Sequence, residues 1–237
     1  MLISIILPTR QRVAQLSNFL SSIYSTVYDL NNVEVLVAVD QDDTDTITFL
    51  KNYNLVDIRM FTFEERYHYK GLYKYSNYLA QRAQGSFISF GCDDNQHLSP
   101  YWDLILKEYL HKFVIINPLT PSHQHYCRGD FNGLLYPIIP RLWVDIIGGI
   151  GNNTALDSWV QEVAQGAMVP IINEDKIVIE SYRYEETGRN KDDIIHRESM
   201  ALAPLVRNDY HSAEKNIERE QDIIKILNYF EKNPQNS

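Results

Sequence analysis

Short apolar runs alternate with helix-period segments along the first hundred or so residues of this chain, and that alternation restricts it to α/β architectures. Ile3 to Leu7 is an apolar run stopped by Pro8. Val13, Leu16, Leu20, Ile23, Val27 and Leu30 then recur at helical spacing, the mark of an amphipathic helix. Val33 to Val39 is a second buried run, Thr46 to Tyr53 a short helix, and Ile58 to Phe63 a third, alternating strand. Leu72, Tyr75, Leu79 and Ala83 place a long helix before Gly85, a natural C-cap. Phe87 to Phe90 is a fourth strand. Strands separated by helices predict a mostly parallel sheet with helices on both faces.

The second half is less regular. Ser99-Pro100 has the form of a helix start, an N-cap followed by an N1 proline. That helix carries Leu104, Ile105 and Tyr109 and leads to a strand at Phe113 to Ile116. Residues 117–137 read as a loop or β-excursion, and Gly148 to Gly151 as flexible backbone before a helix that starts near Thr154. Val169 to Ile172 and Ile177 to Ile179 are expected as two short strands, and 183–199 as a charged loop. A final amphipathic helix runs from about Ser212 to Phe230, followed by a frayed tail. A length of 237 residues suits one domain with decorations.

A formal net charge of −9 argues against broad binding to phosphate backbones, which needs a basic footprint. No run is long and apolar enough to span a membrane, and the chain enters a strand-like segment without a signal peptide. Cys92 and Cys127 have neither metal-ligand spacing nor the look of a disulfide framework, so a reducing, cytoplasmic location is expected.

Residues 86–97, Ser-Phe-Ile-Ser-Phe-Gly-Cys-Asp-Asp-Asn-Gln-His, hold the chemistry. A buried strand ends in two adjacent acids, Asp93 and Asp94, and α/β sheets bind ligands at the carboxyl ends of their strands. Hard carboxylate oxygens there suit Mg²⁺ or Mn²⁺ and, through the ion, a diphosphate. The competing reading is a polar turn, since Asp and Asn are common turn residues.

Four segments, in order, resemble the inverting GT-A glycosyltransferases of family 2. Ile5-Ile6-Leu7-Pro8-Thr9-Arg10-Gln11-Arg12 is similar to that family's first strand and loop. Val37 to Thr46, reading Val-Ala-Val-Asp-Gln-Asp-Asp-Thr-Asp-Thr, resembles its second strand and acidic nucleotide loop. Gly71 through Asn77 to Gly85 resembles its third element. Phe87 to Asn95 falls where the family carries a metal-binding Asp-x-Asp. The resemblance covers residues 3–103 well and thins afterwards. It implies a single GT-A, Rossmann-like domain over 1–237, with a nucleotide-sugar-binding half (1–103), an acceptor-binding half (104–211) and a C-terminal helix (212–231).

The same resemblance implies roles. Pro8, Thr9 and Arg10 would line the base, with Arg12 near the phosphates and Asp40 on base or ribose. Gln41 stands where the family has a second acid. Lys74 or Asn77 would reach the donor. Cys92, Asp93 and Asp94 overlie Asp-x-Asp, so the first acid is missing, Asp94 takes the metal-ligating place and Asp93 faces ribose or water. The implied cofactor is Mn²⁺ or Mg²⁺, and the implied donor a nucleotide sugar, UDP-sugar first. Asp157, in Asn152 to Trp159, is similar to the family's acceptor-side acid and is the candidate general base, because an attacking hydroxyl must lose its proton. Thr154-x-x-Asp157 also fits a capping box, in which Asp157 only satisfies a helix start. Trp159 reads as an acceptor-stacking ring or a core residue.

The family's later histidine is absent from its matching stretch. His196 is the substitute metal ligand, with His211 behind it, and each also reads as a solvated surface histidine. Arg183, Arg189 and Lys191 would neutralise phosphates from a lid or form a solvated loop. The acceptor is open among glycans, small molecules and a modified nucleic-acid base, the last needing a basic rim from Lys107, Lys112, Arg128 and Arg141. Two other classes compete: a non-catalytic nucleotide-sugar or carbohydrate-binding protein, and a nucleotidyltransferase, which would open with a glycine-rich phosphate loop that Pro8 to Arg12 lacks.

Overall fold

The computed structural model describes residues 3–129, 132–182 and 194–234. Eight strands form the sheet: β1 (Ile3–Thr9), β2 (Val33–Asp40), β3 (Asp57–Phe63), β4 (Phe87–Phe90), β5 (Asn95–His97), β6 (Ile115–Leu119), β7 (Ile138–Pro140) and β8 (Ile171–Ser181). Their order is β3-β2-β1-β4-β7-β6-β8-β5. The first four are parallel, as the βα alternation requires. β7 is antiparallel to both β4 and β6, so β6 and its parallel partner β8 resume the direction of β1. β5 closes the far edge, antiparallel to β8.

Nine helices connect these strands among the described residues: α1 (Val13–Thr26), α2 (Thr44–Asn52), α3 (Leu72–Ala80), α4 (Trp102–Leu106), α5 (Gln124–Arg128), α6 (Arg141–Ile147), α7 (Leu156–Gly166), α8 (Ile194–Tyr210) and α9 (Ala213–Lys232). The period-2 geometry of the strands splits the core in two. Ile3, Ile5, Leu7, Val33, Val35, Val37 and Val39 face α1, α2 and α4. Ile6, Leu36 and Ala38 face α3, α6, α7 and α9. Each buried Val, Leu or Ile stabilises the fold by about 1.5–3 kcal/mol, so both helical layers are held firmly. The α/β class, the mostly parallel sheet, the two helical layers and the C-terminal helix agree with the sequence reading.

Several boundaries differ, each for a local reason. The first helix stops at Thr26 rather than Leu30, because buried Asp103 accepts from the N–H groups of Tyr28 (2.8 Å) and Asp29 (3.3 Å) and draws the chain out of register. Gly85 is not a C-cap: α3 ends at Ala80, and the N–H of Gly85 donates to Ser4 Oγ instead (2.8 Å). Ser99 is not an N-cap. Its hydroxyl accepts from Val178 N–H (2.9 Å), and α4 opens after Tyr101. The two strands expected at 169–179 are one strand with an irregularity opposite Pro118 and Leu119. Gly149 and Gly151 are packed rather than loose, whereas Gly148, at φ 89°, borders open space. Gly151 lies so close to Trp159 that a Cβ there would sit 2.5 Å from the indole Cγ.

His97 on β5 is buried against the rings of Phe19 and Trp102. Burial pushes its pKa down to about 3 from 6.5, so the folded protein holds it neutral. Below about pH 6.5 the unfolded chain takes up a proton that the folded chain refuses. Stability is therefore full above that pH and falls as the pH drops, by up to about 1.4 kcal/mol per pH unit from this group. Urea melts of His97→Phe between about pH 7 and 5 should lose one proton's worth of that slope. An unchanged slope would show that His97 is not its source.

Candidate functional site

The parallel order β2-β1-β4 brings three strand ends to one edge. Arg10, Gln11 and Arg12 follow β1 there. Gln11 adopts φ 54°, a left-handed turn costing about 1–2 kcal/mol, and its N–H donates to Asp43 Oδ2 (2.7 Å). The arginines on either side of it serve opposite flanks. Arg10 donates to Asp40 Oδ2 (3.0 Å) at the end of β2 and makes two contacts with Asp42, one of them Nη2 to Oδ2 at 2.7 Å. Arg12 donates to Asp93 Oδ1 (2.8 Å) beyond β4, and its Nη1 lies 3.6 Å from Asp94 Oδ2. Thr9, the last residue of β1, donates to Asp93 Oδ2 (2.7 Å). Pro8 is still within β1, opposite Ala38. Pro8, Asp40 and Asp94 thus lie at or near the carboxyl ends of three neighbouring parallel strands.

Two backbone devices hold the acids in place. Asp43 caps α2 by accepting from Thr46 N–H (3.3 Å), which fixes the loop carrying Asp40 and Asp42. Gly91 donates to Ile6 O (2.9 Å) in a space where a Cβ would stand 3.0 Å from Phe19 Cζ and 3.1 Å from Ile5 Cγ2. Any other residue would need Phe19 and Ile5 to give by a few tenths of an ångström, so glycine suits the close run of β4 beside β1 before the chain turns out at Cys92, Asp93 and Asp94.

The charges are strongly coupled. Burial raises the Asp93 carboxyl above its ordinary range, Arg12 and the Thr9 hydroxyl pull it back, and neighbouring Asp94 pushes it up. The two carboxylates that grip Arg10 hold its guanidinium charged more firmly than usual. Tyr75 on α3 donates to Asp40 Oδ1, and burial, with that bond, raises the phenol above its ordinary value.

Three residues at this edge were not singled out from the sequence as site residues. Tyr75 reads there only as one position of an apolar helix face. Arg66 lies with its Nε 3.8 Å from Asp40 Oδ2 and pairs with Glu198 of α8. Glu198 also accepts from Tyr69 N–H (2.8 Å) and contacts His68 Nδ1 (3.1 Å). No local pattern marks these; a sequence separation of 132 residues between Arg66 and Glu198 hides their contact.

Other expected residues fall as follows. Lys74 sits over the Tyr67 ring at 4.7 Å. Both polar atoms of Asn77 engage the glycine-rich segment, Nδ2 donating to Gly151 O (2.7 Å) and Oδ1 accepting from Ile150 N–H (2.8 Å). Asp157 lies in the first turn of α7, where its Oδ1 accepts from Ser158 N–H (2.7 Å). The capping box read at Thr154 is not how this helix starts. Ala155 is the N-cap, and the Thr154 hydroxyl donates to the carbonyls of Tyr69 (2.9 Å) and Lys70 (2.8 Å). Those bonds set the start of α7 beside the segment whose Arg66 reaches Asp40. Trp159 is a core residue, fully buried and donating to Asp222 Oδ2 (3.1 Å). His211 packs edge-on to Tyr210.

His196 lies within α8, its side chain outside the described residues, as are Arg183, Arg189 and Lys191 altogether. Of the four rim residues, Arg141 and Arg128 lie apart. Arg141 sits at the opposite edge, its N–H donating to Ser86 O (2.8 Å) just before β4, while Arg128 is bonded to Asn117, Asn173 and Asp175 of β6 and β8.

The donor set at Asp93 and Asp94 fits a hard divalent ion. Among the described residues no cluster of three or more His, Cys, Asp or Glu side chains could cage one. A pair of carboxylates beside an open edge instead matches the way Mg²⁺-type ions are held, by one or two acids plus phosphate and water. Asp93 has both oxygens hydrogen-bonded, so the half-buried Asp94 is the ligand that fits.

No family model matches the chain, and no curated protein matches it. Solved structures do. The mannosyltransferase PcManGT of Pyrobaculum calidifontis, in complex with GDP-Man and Mn²⁺, aligns at TM-score 0.61 and 16% identity over 94% of this chain and 72% of its own. S. aureus TarS 1–349 aligns at TM-score 0.59 and 14% identity over 97% of this chain and 72% of its own. Its complex with UDP-GlcNAc aligns at TM-score 0.57 with the same coverage. The chain has a GT-A glycosyltransferase-like fold. In GT-A terms, the β1, β2 and β4 ends with their acids lie on the face where α/β sheets take nucleotides.

Asp93→Ala removes the nearer of two carboxylates facing the largely buried Arg12 and should cost up to about 3–5 kcal/mol of stability. Asp42→Ala removes a carboxylate that is 68% exposed and should leave the urea midpoint unchanged. Equal midpoints for the two variants would contradict this ranking.

Proposed function

We propose that this chain is a metal-dependent, inverting glycosyltransferase of the family 2 type, moving one hexose or pentose from a nucleotide-sugar donor to an acceptor hydroxyl. The observation that carries this reading is the single edge of a GT-A-like sheet on which Arg10, Asp40, Arg12, Asp93 and Asp94 interlock. The neighbours' ligands support it: one mannosyltransferase holds GDP-Man and Mn²⁺, and TarS holds UDP-GlcNAc.

In this reading Pro8, Thr9 and Arg10 line the base and Asp40 receives base or ribose, with Lys74 and Asn77 on the donor side. Asn77 would act there through the Ile150–Gly151 backbone that it anchors. Arg12 and the start of α1 face the diphosphate, whose charge grows as the glycosidic bond breaks. Asp93 orients Arg12. Mn²⁺ or Mg²⁺, when bound at Asp94, would supply Lewis-acid neutralisation of the departing diphosphate. His196 is the candidate second ligand. Asp157 takes the acceptor proton as the hydroxyl attacks from the opposite face. The donor half is 1–103 and the acceptor half 104–211, closed by a C-terminal helix. UDP-sugar is the first donor to test, and the acceptor is a glycan or small molecule, with a modified nucleic-acid base the more remote alternative. No helix among the described residues is long and apolar enough to cross a membrane. Two cysteines outside any disulfide suit a reducing cytoplasmic site.

A ligand that binds only the folded state must raise its melting temperature. A thermal-shift screen of UDP- and GDP-sugars with Mn²⁺ should therefore give a shift with one donor class, and Asp94→Ala should remove it while folding normally. A flat response across all donors would reject the donor site. Sugar-nucleotide hydrolysis would then separate an enzyme from a protein that only binds.

Asp157→Asn keeps size and helix compatibility but removes basicity. Transfer should fall by about 10²–10⁴-fold with donor affinity unchanged. Near-wild-type transfer would eliminate Asp157 as the base.

A further inference from the structure

His68 is held in a backbone conformation that side chains avoid. At φ 55° and ψ −178° it sits in a region populated almost only by glycine. Such a residue persists only where its surroundings over-determine it, and here they do. On one side Tyr67 N–H donates to the Tyr75 hydroxyl (3.0 Å). On the other, Tyr69 N–H donates to Glu198 Oε1 (2.8 Å), and the Thr154 hydroxyl donates to the carbonyls of Tyr69 (2.9 Å) and Lys70 (2.8 Å). Gly71 N–H closes the turn on the carbonyls of Tyr67 and His68, each at 3.1 Å. All this fastening does not bury the His68 side chain, which stays 55% exposed. It presents the ring instead of packing it.

We propose that His68 reads the base of the donor nucleotide, its Nε2 accepting the ring N–H that uracil and guanine carry and that cytosine and adenine lack. This rests on the donor reading above and adds a specificity-determining residue to it. Glu198 fixes the tautomer. An ionised carboxylate only accepts, so the His68 Nδ1 that faces its Oε1 at 3.1 Å carries the proton. In the neutral ring Nε2 then holds a lone pair and no proton.

The same carboxylate sets the position. The other oxygen of Glu198 pairs with Arg66, whose Nε lies 3.8 Å from Asp40 Oδ2. One guanidinium thus ties the imidazole to the strand end that receives the nucleoside in the donor reading. The acids at that strand end have little left to offer a base. Asp40 gives Oδ1 to Tyr75 and Oδ2 to Arg10, and its side chain is 8% exposed. Asp42 has both oxygens on Arg10. His68 Nε2, by contrast, has no hydrogen-bond partner among the described residues. An acceptor with a fixed direction discriminates between bases, because the wrong base sets a lone pair against its own and leaves both unsatisfied.

Uracil and cytosine share a shape and differ at this ring nitrogen and the exocyclic group beside it, as guanine and adenine do in part. Calorimetry with UDP, CDP, GDP and ADP, each in the presence of Mn²⁺, therefore tests the proposal. The wild-type protein should bind UDP over CDP, or GDP over ADP, by about tenfold. His68→Phe keeps a ring and removes both nitrogens. His68→Gly removes the ring and suits the backbone angles, so it secures a folded variant. Both should bring the preference to within about twofold. A His68 that only braces the turn would lower all affinities by one factor and leave the ratio standing, which overturns the proposal. So does a wild-type protein that binds both members of each pair equally. Failure of all four nucleotides to bind would instead strike down the donor reading, and the base-reading role with it.

Discussion

Two arginines leaving one strand end compensate acids delivered by the strands on either side, and the architecture of the functional edge follows from that. Arg10 reaches toward β2 and Arg12 toward β4, with a left-handed Gln11 between them. Carboxylates as enclosed as Asp40 and Asp93 are tolerated only when paired and hydrogen-bonded. The pairing demands that β1 lie between β2 and β4. The parallel sheet, with helices crossing over on both faces, supplies that order. Charge compensation and chain topology are here one requirement.

Besides the grip of Glu198, the second half of the chain is fastened to this side of the molecule by side chains that bind backbone. Asn77 on α3 grips Ile150 and Gly151, and Thr154 grips the carbonyls of Tyr69 and Lys70. α7 then packs on α9, with Trp159 bonded to Asp222 and Ile223 filling the space over Gly166. The start of α7, where Asp157 sits, is thereby tied to the elements that also carry Tyr75 and Arg66. A rigid mount of this kind is what the proposed role of Asp157 as general base would need, since proton transfer depends on a fixed approach.

The parts of this architecture visible in the sequence are those set by short-range rules. The β1 to β4 strands announce themselves through apolar runs, and the amphipathic periodicity of α1 and α9 is strong enough to place both. The edge acids are legible because they follow those strands directly. Long-range contacts were hidden. Ser99 looks like a cap because the sequence does not show Val178 waiting for its hydroxyl. Gly85 looks like a helix stop because the buried cluster of Ser4 and Glu34, to which Gln84 and Gly85 donate, is invisible locally. Thr154 and Asp157 match a capping box in spacing alone, and tertiary bonds to Tyr69 and Lys70 override it. The antiparallel insertion of β7 between β4 and β6 has no signature in hydrophobic periodicity.

The grip of Glu198 on Arg66, His68 and Tyr69 has a consequence for how the protein is made. A chain emerging from the ribosome can pair β1 to β4 as soon as its first hundred or so residues are free, since those contacts are comparatively local. The flank of Asp40 is different. Arg66 gains its closer partner only after α8 has been synthesised, 132 residues later. During translation this edge therefore exists first as a scaffold in which Arg66 has its longer contact, to Asp40, but not its shorter one. Synthesis of α8 completes it, so a nascent chain that stalls before Ile194 lacks the carboxylate that holds Arg66, His68 and Tyr69 in place.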